Sequence, residues 1–165
     1  MTGKYKPAID IDDDIHAEMQ SYLSCDCRVT HSWILLYKYA DIGGHRFNAG
    51  EGLHVGVRCG SVFTLVRDGR SIYGLIKCFY RVLCACQVMA DFACVTWFPK
   101  PCYPDGDPLT VEIPLRGVDV NNIPEEHIVS LNDIQPSRIC VEIDTVHDCM
   151  IMMRMEGIDT MPLDI

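Results

Sequence analysis

The sequence lacks any complete catalytic or cofactor signature. The segment from Gly50-Glu51-Gly52 to Gly56 has loop glycines, but not the spacing of a dinucleotide fingerprint or the Gly-Lys-Ser/Thr ending of a phosphate loop. Glu51 would repel a phosphate there, and a plain surface loop is the simpler reading. No cysteine or serine lies in a local signature that pairs a nucleophile with a base. Glu125 and Glu126 are adjacent and point apart, unlike a catalytic carboxylate pair. A long apolar run is also missing. The most apolar stretch, Ile72 to Phe98, is broken by Lys77, Arg81 and Asp91, whereas a membrane helix needs about 20 uninterrupted apolar residues. Met1 to Asp14 is polar and acidic, without the apolar centre of a signal peptide. Positive charge is scarce: 14 Lys and Arg face 23 Asp and Glu, for a net charge of −9. That balance disfavours nucleic acid, whose backbone wants clustered cations. It suits a basic partner such as a Lys/Arg-rich tail, although acidity also serves solubility alone. There is no internal repeat and no low-complexity segment.

What is present describes one ordinary domain. The chain has 165 residues, of which 48% are apolar and 22% charged, enough for a real core and unlike a disordered segment. Its ten cysteines would suggest a disulfide framework in a secreted mini-protein. Without a secretory leader, and with Cys78, Cys94 and Cys140 inside apolar runs, they read as reduced thiols acting as small hydrophobes in an intracellular compartment.

Residues 1–10 read as a flexible leader and 11–165 as a single β-rich domain. Ile11, Ile15, Met19, Tyr22 and Leu23 recur at helical spacing, and Asp12 or Asp13 can cap the helix they define. From Trp33 the texture turns to strands: 33–40, 53–59, 61–67, 71–82, 92–98, 110–115, 138–144 and a last one through Cys149, Ile151, Met153 and Met155. Asp68-Gly69 between two such runs predicts a tight hairpin. Pro114 places its strand at a sheet edge. Glu125-Glu126-His127 reads as one helical turn. About seven or eight short strands and one short N-terminal helix predict a mainly β fold, a small antiparallel and partly closed β-barrel.

Two residue groups are candidate sites. His16, Cys25, Cys27 and His31 are all zinc-ligand types within a short span, although the usual Cys-x2-Cys knuckle is absent and buried thiols beside ordinary histidines are the competing reading. The Cys84-Ala85-Cys86 pair reads as packing. Among the aromatics, Tyr73, Trp97, Phe98 and Tyr103 fall near strand ends and a Pro-rich loop. They are candidates for a cage that holds a methylated ammonium by cation–π attraction, with core packing as the competing role.

The run Gly60-Ser61-Val62-Phe63-Thr64-Leu65-Val66, Asp68-Gly69 and Ile72-Tyr73-Gly74-Leu75-Ile76 is followed by Val95-Thr96-Trp97-Phe98-Pro99. Ile128 to Ile134 and Cys140-Val141 come later. In this order the stretch 60–141 resembles a bromo-adjacent homology (BAH) domain, and its texture is also similar to domains of transposon-derived proteins. The resemblance implies a chromatin-associated, nuclear protein-interaction module, of a family in which some members bind histone tails or nucleosomes. The expected function is therefore a non-enzymatic protein-interaction module that binds a basic, histone-like tail through an aromatic and acidic surface and needs no cofactor. A zinc-stabilised structural domain and a small cysteine-dependent enzyme are the alternatives.

Overall fold

The computed structural model describes residues 5–8, 10–23, 28–30, 33–50, 60–102, 110–114, 123–136 and 139–154. Among them the chain is mainly β with one α-helix, and every strand pair is antiparallel. The elements are β1 (Lys6–Pro7), α1 (Asp13–Tyr22), β2 (Ile34–Tyr37), β3 (Tyr39–Ile42), β4 (His45–Asn48), β5 (Val62–Arg67), β6 (Arg70–Leu83), β7 (Met89–Trp97), β8 (Thr110–Pro114), β9 (Ile128–Ser130), β10 (Ile139–Asp144) and β11 (Cys149–Arg154).

The 14-residue β6 organises the large sheet. On one side β7 runs along it, with β9 beyond. On the other, β5 pairs its first half and β2 its second half, with β1 beyond β2. A second sheet has the order β10-β11-β8, and β3-β4 is a separate hairpin. Among the described residues no sheet closes on itself, so the expected barrel closure is not part of what the sheets show.

A β-bulge explains how one long strand serves three cores. Ile76 opposes Val95, yet Cys78 opposes Cys94, so Lys77 is an extra residue without a partner on β7. An extra residue reverses which side chains of the bulged strand face which side of the sheet. Before it, Ile72 and Ile76 face one core, which also takes Phe63, Leu65, Phe47 and Ala40. Tyr73 faces a second core, with Val111, Ile113, Ile139, Val141, Met150 and Met152 of the three-stranded sheet. After the bulge Phe79 continues the first core, while Tyr80 and Val82 face a third, covered by Met19 and Leu23 from the helical segment. β7 has no such insertion and alternates cleanly: Ala93, Val95 and Trp97 to the first core, Phe92 and Cys94 to the third.

The helix forms where its cap and apolar face predict. Asp12 is the N-cap, its side chain accepting from Asp14 N, and Ile11, Met19 and Leu23 are buried. Tyr22 is instead 43% exposed and leans its ring on Phe92, with centroids 5.6 Å apart. Glu18 fixes the helix to the sheet: its carboxylate accepts from His127 N, Ile128 N and His127 Nδ1 at 2.7–3.1 Å. That contact uses backbone donors ahead of β9, where the sequence predicted a helical turn at 125–127; the structure has no helix there.

Other expectations shift with the topology. The leader predicted over 1–10 includes a strand: Lys6 and Pro7 pair with β2, and Ala8 is buried and donates its N–H to Ile34 O. From the end of the strand predicted at 33–40 towards the one predicted at 53–59, the chain forms the β3–β4 hairpin, with Gly43 and Gly44 both at positive φ in its turn. The strand predicted at 53–59 lies outside the described residues. In β11 the buried residues include Met150 and Met152, the opposite phase to the Ile151/Met153 stripe that the sequence suggests. β8 is an edge strand, as Pro114 requires.

A candidate cationic groove

The Asp68-Gly69 turn builds one wall of a groove. Both residues have positive φ, 52° and 72°, which is the type I′ geometry that matches strand twist. That turn sets Arg67 directly opposite Arg70. Like charges in this position are unfavourable, by roughly 0.2–1 kcal/mol. Arg67 is relieved: its Nη1 donates to Glu126 Oε1 at 2.7 Å, and its guanidinium lies 5.8 Å from the centre of the Trp97 ring. Arg70 is exposed and makes no ion pair with another described residue.

The opposite wall comes from the chain leaving β7. Phe98 N donates to Tyr73 O at 3.0 Å, extending the ladder by one pair before Pro99 and Pro101 end it. Ile72, Phe98, Pro99, Pro101 and Pro124 give apolar lining, and Lys100 adds a third cation. The groove holds about 490 Å³, within the range of ligand-binding clefts. Among its lining residues stand three cations and one anion, Asp68, on a chain whose net charge is −9.

The aromatic candidates separate at this site. Trp97 is opposite Gly74, so it shares a face with Gly74, and the adjacent Tyr73 points to the other face. Tyr73 is 2% exposed in the second core and Trp97 7% exposed in the first. Trp97 is further fixed by its Nε1 donating to Glu126 O at 2.6 Å and by an edge contact with Phe63. The structure therefore does not bring Tyr73 and Trp97 into one cage. Phe98 is half-buried in the groove wall, and Tyr103 lies outside the described residues.

Of the metal candidates, His16 is on α1, where its Nε2 lies 2.9 Å from Val29 O. A carbonyl only accepts, so that nitrogen carries a proton and donates and does not serve as a metal ligand in this arrangement. Cys25, Cys27 and His31 lie outside the described residues. Cys84 is buried and Cys86 exposed in the β6–β7 turn.

A depression of about 240 Å³ lies beside Cys102, Glu112, His147 and Cys149 and brings cysteine and histidine side chains together. His147 Nδ1 meets Asp144 Oδ2 at 2.7 Å, the base–orienter half of a triad. Burial and the acidic neighbours Glu112, Asp144 and Asp148 push the Cys149 thiol up, the reverse of activation.

Arg67, Arg70 and Lys100 are the residues that pattern reading passes over. The signal for two of them was available, since a two-residue turn at Asp68-Gly69 dictates that Arg67 and Arg70 pair. No protein-family model, curated protein or solved structure matches this chain.

Proposed function

We propose that the chain is a non-enzymatic protein-interaction module whose groove takes an extended peptide with acidic residues beside an apolar one. The observation that supports it is that cations outnumber the single anion three to one, Arg67, Arg70 and Lys100 against Asp68, beside an apolar wall of the groove on an acidic protein. Arg67 is satisfied by Glu126, but Arg70 opposite it makes no ion pair with a described residue, and an acidic ligand would relieve it. Charge complementarity of this kind contributes specificity and association rate more than raw affinity.

The net charge of −9 favours a second reading, in which a basic, histone-like tail binds the acidic surface outside the groove. The BAH-like resemblance, with its partly closed barrel, nuclear chromatin setting and transposon-derived source, belongs to that reading. Neither reading needs a cofactor. In the zinc alternative, His16, Cys25, Cys27 and His31 would supply the ligands, and metal analysis of untagged protein separates it from the other two.

Fluorescence anisotropy with labelled acidic–apolar and Lys/Arg-rich peptides distinguishes the two peptide readings. The groove reading expects saturable binding of the acidic set, weakened by salt and by Arg70→Glu. Binding of the basic set alone, unchanged by Arg70→Glu, supports the second reading and removes the first.

A further inference from the structure

We propose that Cys78 and Cys94 form a peroxide-sensitive dithiol, with Cys78 the attacking thiol and Cys94 the resolving one, whose oxidation staples β6 to β7. The bulge creates the pair. Continued without it, the register from Ile76–Val95 would set Lys77 opposite Cys94; the inserted residue sets Cys78 there instead. Val95 donates its N–H to His127 O on the far side of β7, so the backbone groups of Cys94 face β6. Opposed residues of this kind have Cα atoms about 5.5 Å apart, inside the 4.4–6.8 Å window of disulfides.

The surroundings make the two thiols unequal. Cys78 is half-buried and reachable, whereas Cys94 is buried against Ile128 and the third core. The Cys94 thiol, the Tyr80 hydroxyl and the Lys77 charge all favour the Cys78 thiolate, whose pKa is pulled down to about 7 against the cost of burial. The same hydrogen bond, burial and the Cys78 charge push Cys94 up, with Glu18 adding to it and Lys77 opposing it. One sulfur is thus ready to attack and the other stays protonated.

The chemistry balances with hydrogen peroxide as oxidant. The Cys78 Sγ takes one peroxide oxygen, so an S–O bond forms and the O–O bond breaks; the other oxygen leaves and is protonated to water. Cys94 Sγ then attacks the sulfenic sulfur of Cys78. The S–S bond forms, the S–O bond breaks, and the Cys94 proton leaves with hydroxide as a second water. Two thiols and one peroxide give one disulfide and two waters, with a two-electron oxidation of sulfur matching the reduction of peroxide.

A thiol with pKa about 7 is half ionised at pH 7, against about 3% for an ordinary thiol, a gain of roughly 16-fold. Its lower intrinsic nucleophilicity takes back about fivefold, leaving about threefold at pH 7 and about sixfold at pH 6. The test is equimolar hydrogen peroxide on the reduced full chain, followed by alkylation of remaining thiols and peptide mapping. A Cys78–Cys94 linked peptide is expected, with the exposed Cys86 and Cys102 still alkylatable. Cys94→Ser should trap a sulfenic acid on Cys78 that dimedone labels, and Cys78→Ser should leave Cys94 unoxidised. Oxidation of Cys86 or Cys102 ahead of an intact Cys78 and Cys94 overturns the proposal. Should either variant fail to fold, alkylation rates of the wild-type thiols against pH decide: a Cys78 midpoint near 7 supports it, and one no lower than that of Cys86 refutes it.

Discussion

Gly74→Ala probes the tightest point of the sheet. Gly74 lies between Phe63 on β5 and Trp97 on β7, and the two aromatic rings meet over it edge to face with centroids 5.5 Å apart. A Cβ at Gly74 would stand 2.7 Å from Phe63 Cε1, 2.9 Å from Phe63 Cζ and 2.8 Å from Thr96 O. The Thr96 oxygen is backbone and fixed, while the wholly buried Phe63 ring can yield only by disturbing the packing around it. Overpacking of this kind costs about 1–3 kcal/mol, and parting the rings forfeits up to about 1.5 kcal/mol more. The smaller entropy of an unfolded alanine chain returns about 0.4–1 kcal/mol. These terms span about 0–4 kcal/mol and centre on a net loss of about 2 kcal/mol, or roughly 4–8 °C in Tm for a domain of this size. Urea denaturation followed by far- and near-ultraviolet circular dichroism measures it, the near-ultraviolet signal reporting on Trp97. In a Phe63→Leu background the penalty should shrink, because the ring is the flexible half of the clash. An unchanged or raised midpoint for Gly74→Ala would refute the claim that glycine here serves the approach of two aromatics.

Thr64 is wholly buried, and its hydroxyl has no hydrogen-bond partner among the described residues. Thr64→Val should therefore raise stability by about 1 kcal/mol, and a lower denaturation midpoint would show that the hydroxyl is satisfied. At the β10–β11 turn, Asp144 raises the His147 pKa, chiefly by their hydrogen bond, and His147 lowers that of Asp144 in the same way. The raised His147 pKa contributes stability below its unfolded value and loses it as pH rises through the folded value. The lowered Asp144 pKa contributes above its unfolded value and loses it as pH falls. The pair thus acts in the acidic window between them, and proton NMR of His147 should show its pKa fall on Asp144→Asn; an unmoved titration would sink the pairing.

The short-range features were legible because local chemistry decides them. Asp68-Gly69 specifies its own turn, Asp12 its own cap and Pro114 an edge, whatever the rest of the chain does. The features that sequence reading missed depend on pairing between distant residues. Nothing around Lys77 announces an unpaired residue on a strand, yet it sets which of Ile76, Cys78 and Phe79 face which core. The cage candidates fell to the same cause. Tyr73 and Trp97 both sit near strand ends in sequence, but only the Gly74–Trp97 register shows that the sheet lies between them. The phase of β11 is ambiguous for a similar reason, since Met150, Ile151, Met152 and Met153 are all apolar and the partner sheet alone selects the even pair. Arg70 and Lys100 read as solvated surface until the fold puts them on one groove.

The most direct test of the interaction-module account is a titration of isotope-labelled protein with acidic–apolar and with basic peptides, followed by NMR, in wild type and in Lys100→Glu. The account predicts that the acidic set shifts the resonances of Arg70, Ile72, Phe98 and Lys100 and that Lys100→Glu weakens this roughly tenfold, about 1.4 kcal/mol. A folded spectrum that does not respond to acidic peptides, or responds away from these residues, would contradict it.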